Sequence, residues 1–256
     1  MGRPHIEFID ALGVERTPIT AGPFTGTSQR LLSIDGDGRG DSTALVSFPA
    51  WWSGDLSESR RPAEIFVLEG ALTVAGSRCG PGVYAFVPAG RADTRVGCHD
   101  GAVALVMIEP EDTAAGDLAI VDSNNMAWTS PPVDGPVPQG IVVKRLRIAP
   151  ASGDVSWVAA VVPGWRESRA EVHDTIEECL MLKGDILLGH RGVMGPGSYF
   201  WRPPQVEHGP MFSLNGGLFF FRSKGGGLST RHVPVPDWEE MVERYTATQP
   251  YFGRAL

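Results

Sequence analysis

The sequence predicts an all-β fold made of two similar units, followed by a short C-terminal helix. Three observations carry that expectation. The 256-residue chain holds 32 glycines and 21 prolines, and its apolar runs are short and bounded by such residues, which favours strands and tight turns over long helices. One pattern of residues occurs twice. Only the segment "PDWEEMVERY" (236–245) has apolar residues at helical spacing behind a capping signal.

From the N-terminus, "RLLSIDGDGRGDSTALVSF" reads as two strands joined by the hairpin-like turn "DGDGRGD" (35–41). Next, "FPAWWSGDLSESRRPAEIFVLEG" (48–70) and "VPGWRESRAEVHDTIEECLMLKG" (162–184) share five residues at a constant offset of 114. The pairs are Pro49 and Pro163, Trp51 and Trp165, Glu64 and Glu178, Leu68 and Leu182, and Gly70 and Gly184. Further on, "CGPGVYAFVPAGRADT" (79–94) matches "MGPGSYFWRPPQVEHG" (194–209) at an offset of 115. Upstream, "GPFTGTSQRLL" from Gly22 loosely matches "GPVPQGIVVKRL" from Gly135. The chain is thus two copies of one unit, at 7–110 and 119–223, each of about eight strands and long enough for a double-sheet or barrel-like domain. This divides it into domains 1–112 and 113–256, with "EPEDTAAGD" (109–117) as a linker or a small acidic loop. At the end, Asp237 and Glu240 form a capping box before Trp238, Met241 and Tyr245, so a short helix is expected to pack on the second domain.

Charge and composition exclude several functions. A net charge of -8, spread without long runs of one sign, offers no surface to neutralise a phosphate backbone, so nucleic acid is not an expected partner. No apolar stretch approaches the roughly 20 residues that span a bilayer, and "MGRPHIEFID" lacks the layout of a signal peptide. A cytoplasmic protein with no membrane partner is expected. Cys79, Cys98 and Cys179 are too few and too scattered for a disulfide framework or a zinc site of paired cysteines.

In the second copy, Glu171 and His173 are two apart and share one face of a strand. Glu177 follows, and His208 lies past "PGSYFWRPP" in the next turn. Imidazoles and carboxylates converging on one face of a β barrel suit a divalent metal with open positions for water, dioxygen or substrate. Two histidines and a carboxylate are the minimum set for a mononuclear non-haem iron oxygenase. Glu171 then reads either as a further ligand or as an acid at the barrel mouth.

The spacing of His173, Glu177 and Gly184, followed by Pro196, Gly197, Pro203 and His208, resembles the two sequence motifs of the cupin superfamily. "EECLMLKGD", "GPGSYFWRPPQVEHGP" and "SLNGGLFFFRSKGG" are most similar to ChrR-like cupins, and the likeness covers both copies, as in a bicupin. The resemblance implies two tandem double-stranded β-helix (jelly-roll) domains. It also implies one divalent metal in the second, held by Glu171, His173, Glu177 and His208: iron first, with zinc, manganese or nickel as alternatives. Position 171 departs from the pattern, which has histidine there, and a second hard oxygen ligand favours iron or manganese. The repeat places Ser57, Ser59, Ala63 and Asp93 at the four corresponding positions of the first copy, a set that cannot hold a divalent ion tightly. The N-terminal cupin is therefore expected to be structural.

Further expectations concern the neighbours of the site. Glu178 has its counterpart Glu64 in the metal-free copy, so Glu177 is the expected ligand. Cys179 and Met181 share the alternation of Glu177, and Phe200, Trp201 and Phe212 surround the second motif; these five are the expected pocket wall. Glu171 or Glu207 is expected to move a proton. His5, His99, His190 and His232 lie outside the motifs and are expected to be exposed; Trp51 and Trp165 are expected to pack in or around the cores. The expected function is a dioxygenase-type activity on a small carbonyl or phenolic compound. The alternatives are a metal-binding sensor, as in the ChrR anti-sigma factor with its zinc-holding cupin domain, and a metal-free isomerase using His208 and Glu177. A homodimer is expected from the resemblance.

Overall fold

A computed structural model of the protein describes residues 2–36, 41–111, 116–132 and 139–248. Residues 37–40 of the expected hairpin turn, 112–115 of the expected linker and 135–138 of the upstream repeat lie outside them. Among the described residues the chain is built of β strands and short turns, with one α-helix, Trp238–Thr248. Among the described residues no helix is long and apolar enough to cross a membrane.

The chain divides into two compact units. Met1–Pro4, Asp10–Met126 and Ala149–Ala151 form the first; His5–Ile9, Ala127–Ile148 and Ser152–Leu256 form the second. The repeat is visible in the sheets. In the first unit the neighbouring strands run Val83–Val87, Ala63–Val74, Arg95–Ile108, Ser42–Phe48, Ser28–Ile34. In the second, Ser198–Arg202, Ile176–Gly184, Gly217–Lys224, Val155–Val161 and Ile141–Ile148 follow in the same order. Each sheet is extended next to its first strand, by Ala119–Asp122 in the first unit and by Ile6–Asp10 in the second.

Matched residues do matched work. Gly70 (φ 68°) and Gly184 (φ 85°) turn through the left-handed region where two strands meet. A Cβ there would sit 2.1 Å from the Gly101 carbonyl oxygen and 1.9 Å from that of Gly216, so no other residue fits without backbone movement. The buried carboxylates Glu64 and Glu178 accept hydrogen bonds from the hydroxyls of Tyr84 (2.7 Å) and Tyr199. Strand alternation turns Glu178 to the sheet face opposite Glu177, which accounts for a role common to both units.

The interiors differ. Ala63, Ile65, Val67, Val87 and Val106 fill the first, together with Trp52, whose ring lies 6.3 Å from Phe24 and 5.0 Å from Phe48. The paired tryptophans part ways: Trp165 is buried in the second core, whereas Trp51 is 75% exposed against His99 because Trp52 takes the inward place. In the second unit Cys179, Met181, Phe200 and Phe219 form the core. The helix packs on this unit as its spacing predicts, through Met241 and Tyr245 against Leu187 and Phe212.

Candidate metal centre and its cavity

Three chain segments bring the ligating atoms together. Glu171 ends up beside His208 because the two residues exchange backbone hydrogen bonds, at 2.7 and 3.0 Å. His173, just past strand Arg169–Val172, is anchored through its carbonyl by the Gln205 amide at 2.8 Å. Glu177 stands on Ile176–Gly184, directly opposite Arg202 on Ser198–Arg202. Glu171, His173 and His208 each place a ligand atom within 4.8 Å of the others. Glu177 closes the set, its two oxygens 3.8 Å from His173 Nε2 and 3.5 Å from His208 Nε2.

The orientation of the imidazoles suits a cation. His173 Nδ1 lies 2.8 Å from the Ser229 carbonyl oxygen, and His208 Nδ1 lies 3.3 Å from that of Val206. A carbonyl only accepts, so Nδ1 donates in each ring and Nε2 carries the lone pair facing the cluster. His173 is 3% exposed, and its Nε2 is buried without a hydrogen-bond partner. An orphaned imidazole nitrogen facing two carboxylates and a second imidazole is what a divalent ion would satisfy, so these residues fit one.

Electrostatics sort the carboxylates. Burial would raise the Glu177 pKa, yet His173, His208 and Arg202 outweigh it and hold the carboxyl below its ordinary range. Glu171 is pushed up to about 8, first by burial and then by the charges of Glu177 and Glu167. His208 is lowered to about 4, chiefly by burial, and so is a neutral, lone-pair donor near pH 7. A cation among these groups opposes the rise at Glu171, because it favours the carboxylate.

A cavity of about 490 Å³ in the second unit opens onto this cluster. Its polar end holds Glu171, Glu177, Arg202, His208 and His232; its walls include Trp157, Phe200, Phe219, Phe221 and Leu188. Of the expected wall residues, Cys179 and Phe200 line it. Met181 packs in the core behind, Trp201 lies opposite Glu178 on the outer sheet face, and Phe212 anchors the helix. Glu207 is not brought to the site: its side chain is exposed, and its carbonyl accepts from Arg191 at 2.9 Å.

Four residues at the site escaped the motif reading. Arg202, 2% exposed, donates to Glu177 at 3.1 Å and packs 3.6 Å over the Phe200 ring. Its signal was its place two residues after Phe200, on the same strand face. Glu7, from the N-terminal strand, lies 3.5 Å from Arg202 and 2.8 Å from Arg191. His232, expected to be exposed, is instead half-buried 3.5 Å from Glu171, because strand Arg231–Pro234 pairs with Arg169–Val172 and sets it opposite that residue. Glu167 lies 3.8 Å beyond His232.

The described set, Ser57, Ser59, Ala63 and Asp93, gathers no comparable cluster; among the described residues every group able to hold a metal lies in the second unit. A family model described as a domain of unknown function, DUF4437, matches residues 22–229. The chain belongs to the DUF4437 family. No curated protein matches this DUF4437 chain. Among solved structures it is similar to a protein of Nostoc punctiforme provisionally described as a dioxygenase, with 21% identity, a TM-score of 0.75, and 91% of this chain and 92% of that chain covered. It is also similar to a cupin 2 conserved barrel domain protein from Leptotrichia buccalis (10% identity, TM-score 0.56, 86% of this chain and 97% of that one). Oxalate decarboxylase of Bacillus subtilis is a third (10% identity, TM-score 0.56, 98% of this chain and 86% of that one). At these identities the likeness shows the fold: this DUF4437 protein has the cupin jelly-roll fold.

Proposed function

We propose that the protein is a bicupin whose second unit is a metal-dependent enzyme, of non-haem iron dioxygenase type, acting on a small apolar carbonyl or phenolic compound. The observation that carries the reading is the buried, unpartnered His173 Nε2, converging with His208, Glu177 and Glu171 on the polar end of an apolar cavity. The descriptions of two relatives, as a provisional dioxygenase and an oxalate decarboxylase, support a reaction on a small molecule. The ChrR-like resemblance of the motifs supports the bicupin assignment. A cytoplasmic homodimer belongs to the same proposal.

The residues divide the work. A divalent ion, when bound, supplies Lewis acidity and, as iron, redox capacity. His173 and His208 would hold it through Nε2, each ring fixed by its Nδ1 hydrogen bond to a backbone carbonyl. Arg202 keeps Glu177 ionised and aimed at the two histidines. Glu171 would add a carboxylate oxygen to the same ion, its Oε2 lying 3.9 Å from His173 Nε2. The aromatic wall excludes water and presses an apolar substrate towards the polar end.

Oxygen consumption by Fe(II)-loaded protein with a panel of diketones and phenolic ketones tests this. Turnover that chelator and His208→Ala both abolish is expected; turnover that survives either change would rule the reading out.

A further inference from the structure

We propose that Glu167, Glu171 and His232 form a second divalent-cation subsite, joined to the first by Glu171 acting as a bridging carboxylate. The inference rests on the reading of His173, Glu177 and His208 as the first site, and adds an ion to it.

The geometry divides Glu171 between two sets of ligands. Its Oε2 faces His173 Nε2 at 3.9 Å, while its Oε1 faces His232 Nε2 at 3.5 Å. Glu167 Oε2 closes the second set at 3.8 Å from His232 Nε2. Each set gathers its ligand atoms within 4.8 Å of one another, and Glu171 is the one residue common to both. The contacts of His232 Nε2 with both carboxylates are at or beyond the limit of a hydrogen bond; the one with Glu171, 3.5 Å, matches the roughly 3.3–3.6 Å edge of a tetrahedral shell around an ion bound at about 2.0–2.2 Å, and the one with Glu167, 3.8 Å, exceeds it slightly.

The second set is built on paired backbone. Strands Arg169–Val172 and Arg231–Pro234 place Glu171 and His232 opposite each other. Arg169 clamps Glu167 from the outer side, with Nε 2.8 Å from Oε1 and Nη2 3.0 Å from Oε2. That clamp fixes the carboxylate and leaves Oε2 a lone pair towards His232. His232, Glu167 and Glu171 all line the same cavity, so an ion there would stand beside the substrate and polarise it. With one imidazole fewer and more exposure, this subsite binds more weakly than the first.

Titrating the metal-free, full-length protein with Mn(II), followed by equilibrium dialysis and electron paramagnetic resonance, tests the inference. The wild type is expected to bind two ions per chain, with a spin-coupled spectrum at saturation. His232→Ala and Glu167→Gln are expected to bind one, uncoupled, with melting temperatures showing that each remains folded. One ion in the wild type overturns the second subsite and leaves the first standing. No ion overturns both. Two ions retained in both variants, or none in folded His232→Ala, also overturns the inference.

Discussion

The two units share a scaffold and differ in what fills it. At the position where the first unit sets Ala63 opposite Val87, the second sets Glu177 opposite Arg202. The first interior is aliphatic, sealed by Trp52 and Phe48; the second keeps a cavity with charge at one end. A buried ion pair contributes little stability beside well-packed apolar residues of similar volume, and often less. The first unit shows that this backbone folds around hydrocarbon at the same place. The charges of the second unit are therefore not needed for this fold, and the proposed metal site gives them a use.

The comparison can be broken most forcefully at that pair. Glu177→Ala leaves the buried Arg202 with Glu7 at 3.5 Å in place of its closer partner, and is expected to destabilise the metal-free protein by about 2 kcal/mol or more. Adding Arg202→Val copies the first unit and should restore most of the loss in chemical denaturation, without restoring metal binding. A double variant no more stable than the single one would show that the charges hold the fold together.

The shared features should respond alike. Gly70→Ala and Gly184→Ala each add a Cβ where the backbone is left-handed and a carbonyl is in the way, and each is expected to cost about 2 kcal/mol or more in thermal or urea unfolding. A large effect in one unit alone would dissolve the equivalence. Tyr84→Phe and Tyr199→Phe remove one hydrogen bond to a buried carboxylate, with an expected cost of about 1–2 kcal/mol each by the same assay. Trp51→Ala, at the exposed member of the tryptophan pair, should change stability by no more than about 0.5 kcal/mol. A bigger loss would mean that Trp51 is covered in solution.

The repeat was legible because its marks are local: Gly70 and Gly184 turn strands, and their spacing survives in the sequence. His173, Glu177 and His208 were legible for the same reason, each lying inside a short motif. Glu178 could be set aside because its counterpart Glu64 stands in a copy that lacks the ligands. Arg202 sat in plain view between Phe200 and Pro203, but its partner decides its meaning. Glu7 reaches Arg202 from 195 residues away, on a strand at the other end of the chain, and no local pattern announces it. His232 lies on a strand whose pairing with Arg169–Val172 no motif encodes. Trp51 misled because two tryptophans are adjacent, and which of them turns inward depends on the register of the strand Trp52–Asp55 against Arg95–Ile108.

The central claim is that one unit of the two carries the metal. Anomalous diffraction at the iron or manganese edge, from crystals of the loaded protein, tests it most directly. A peak is expected within ligand distance of His173 Nε2 and His208 Nε2, and none beside Ser57, Ser59 and Asp93. A peak in the first unit, or none near the two histidines of a protein shown to contain metal, would contradict the account.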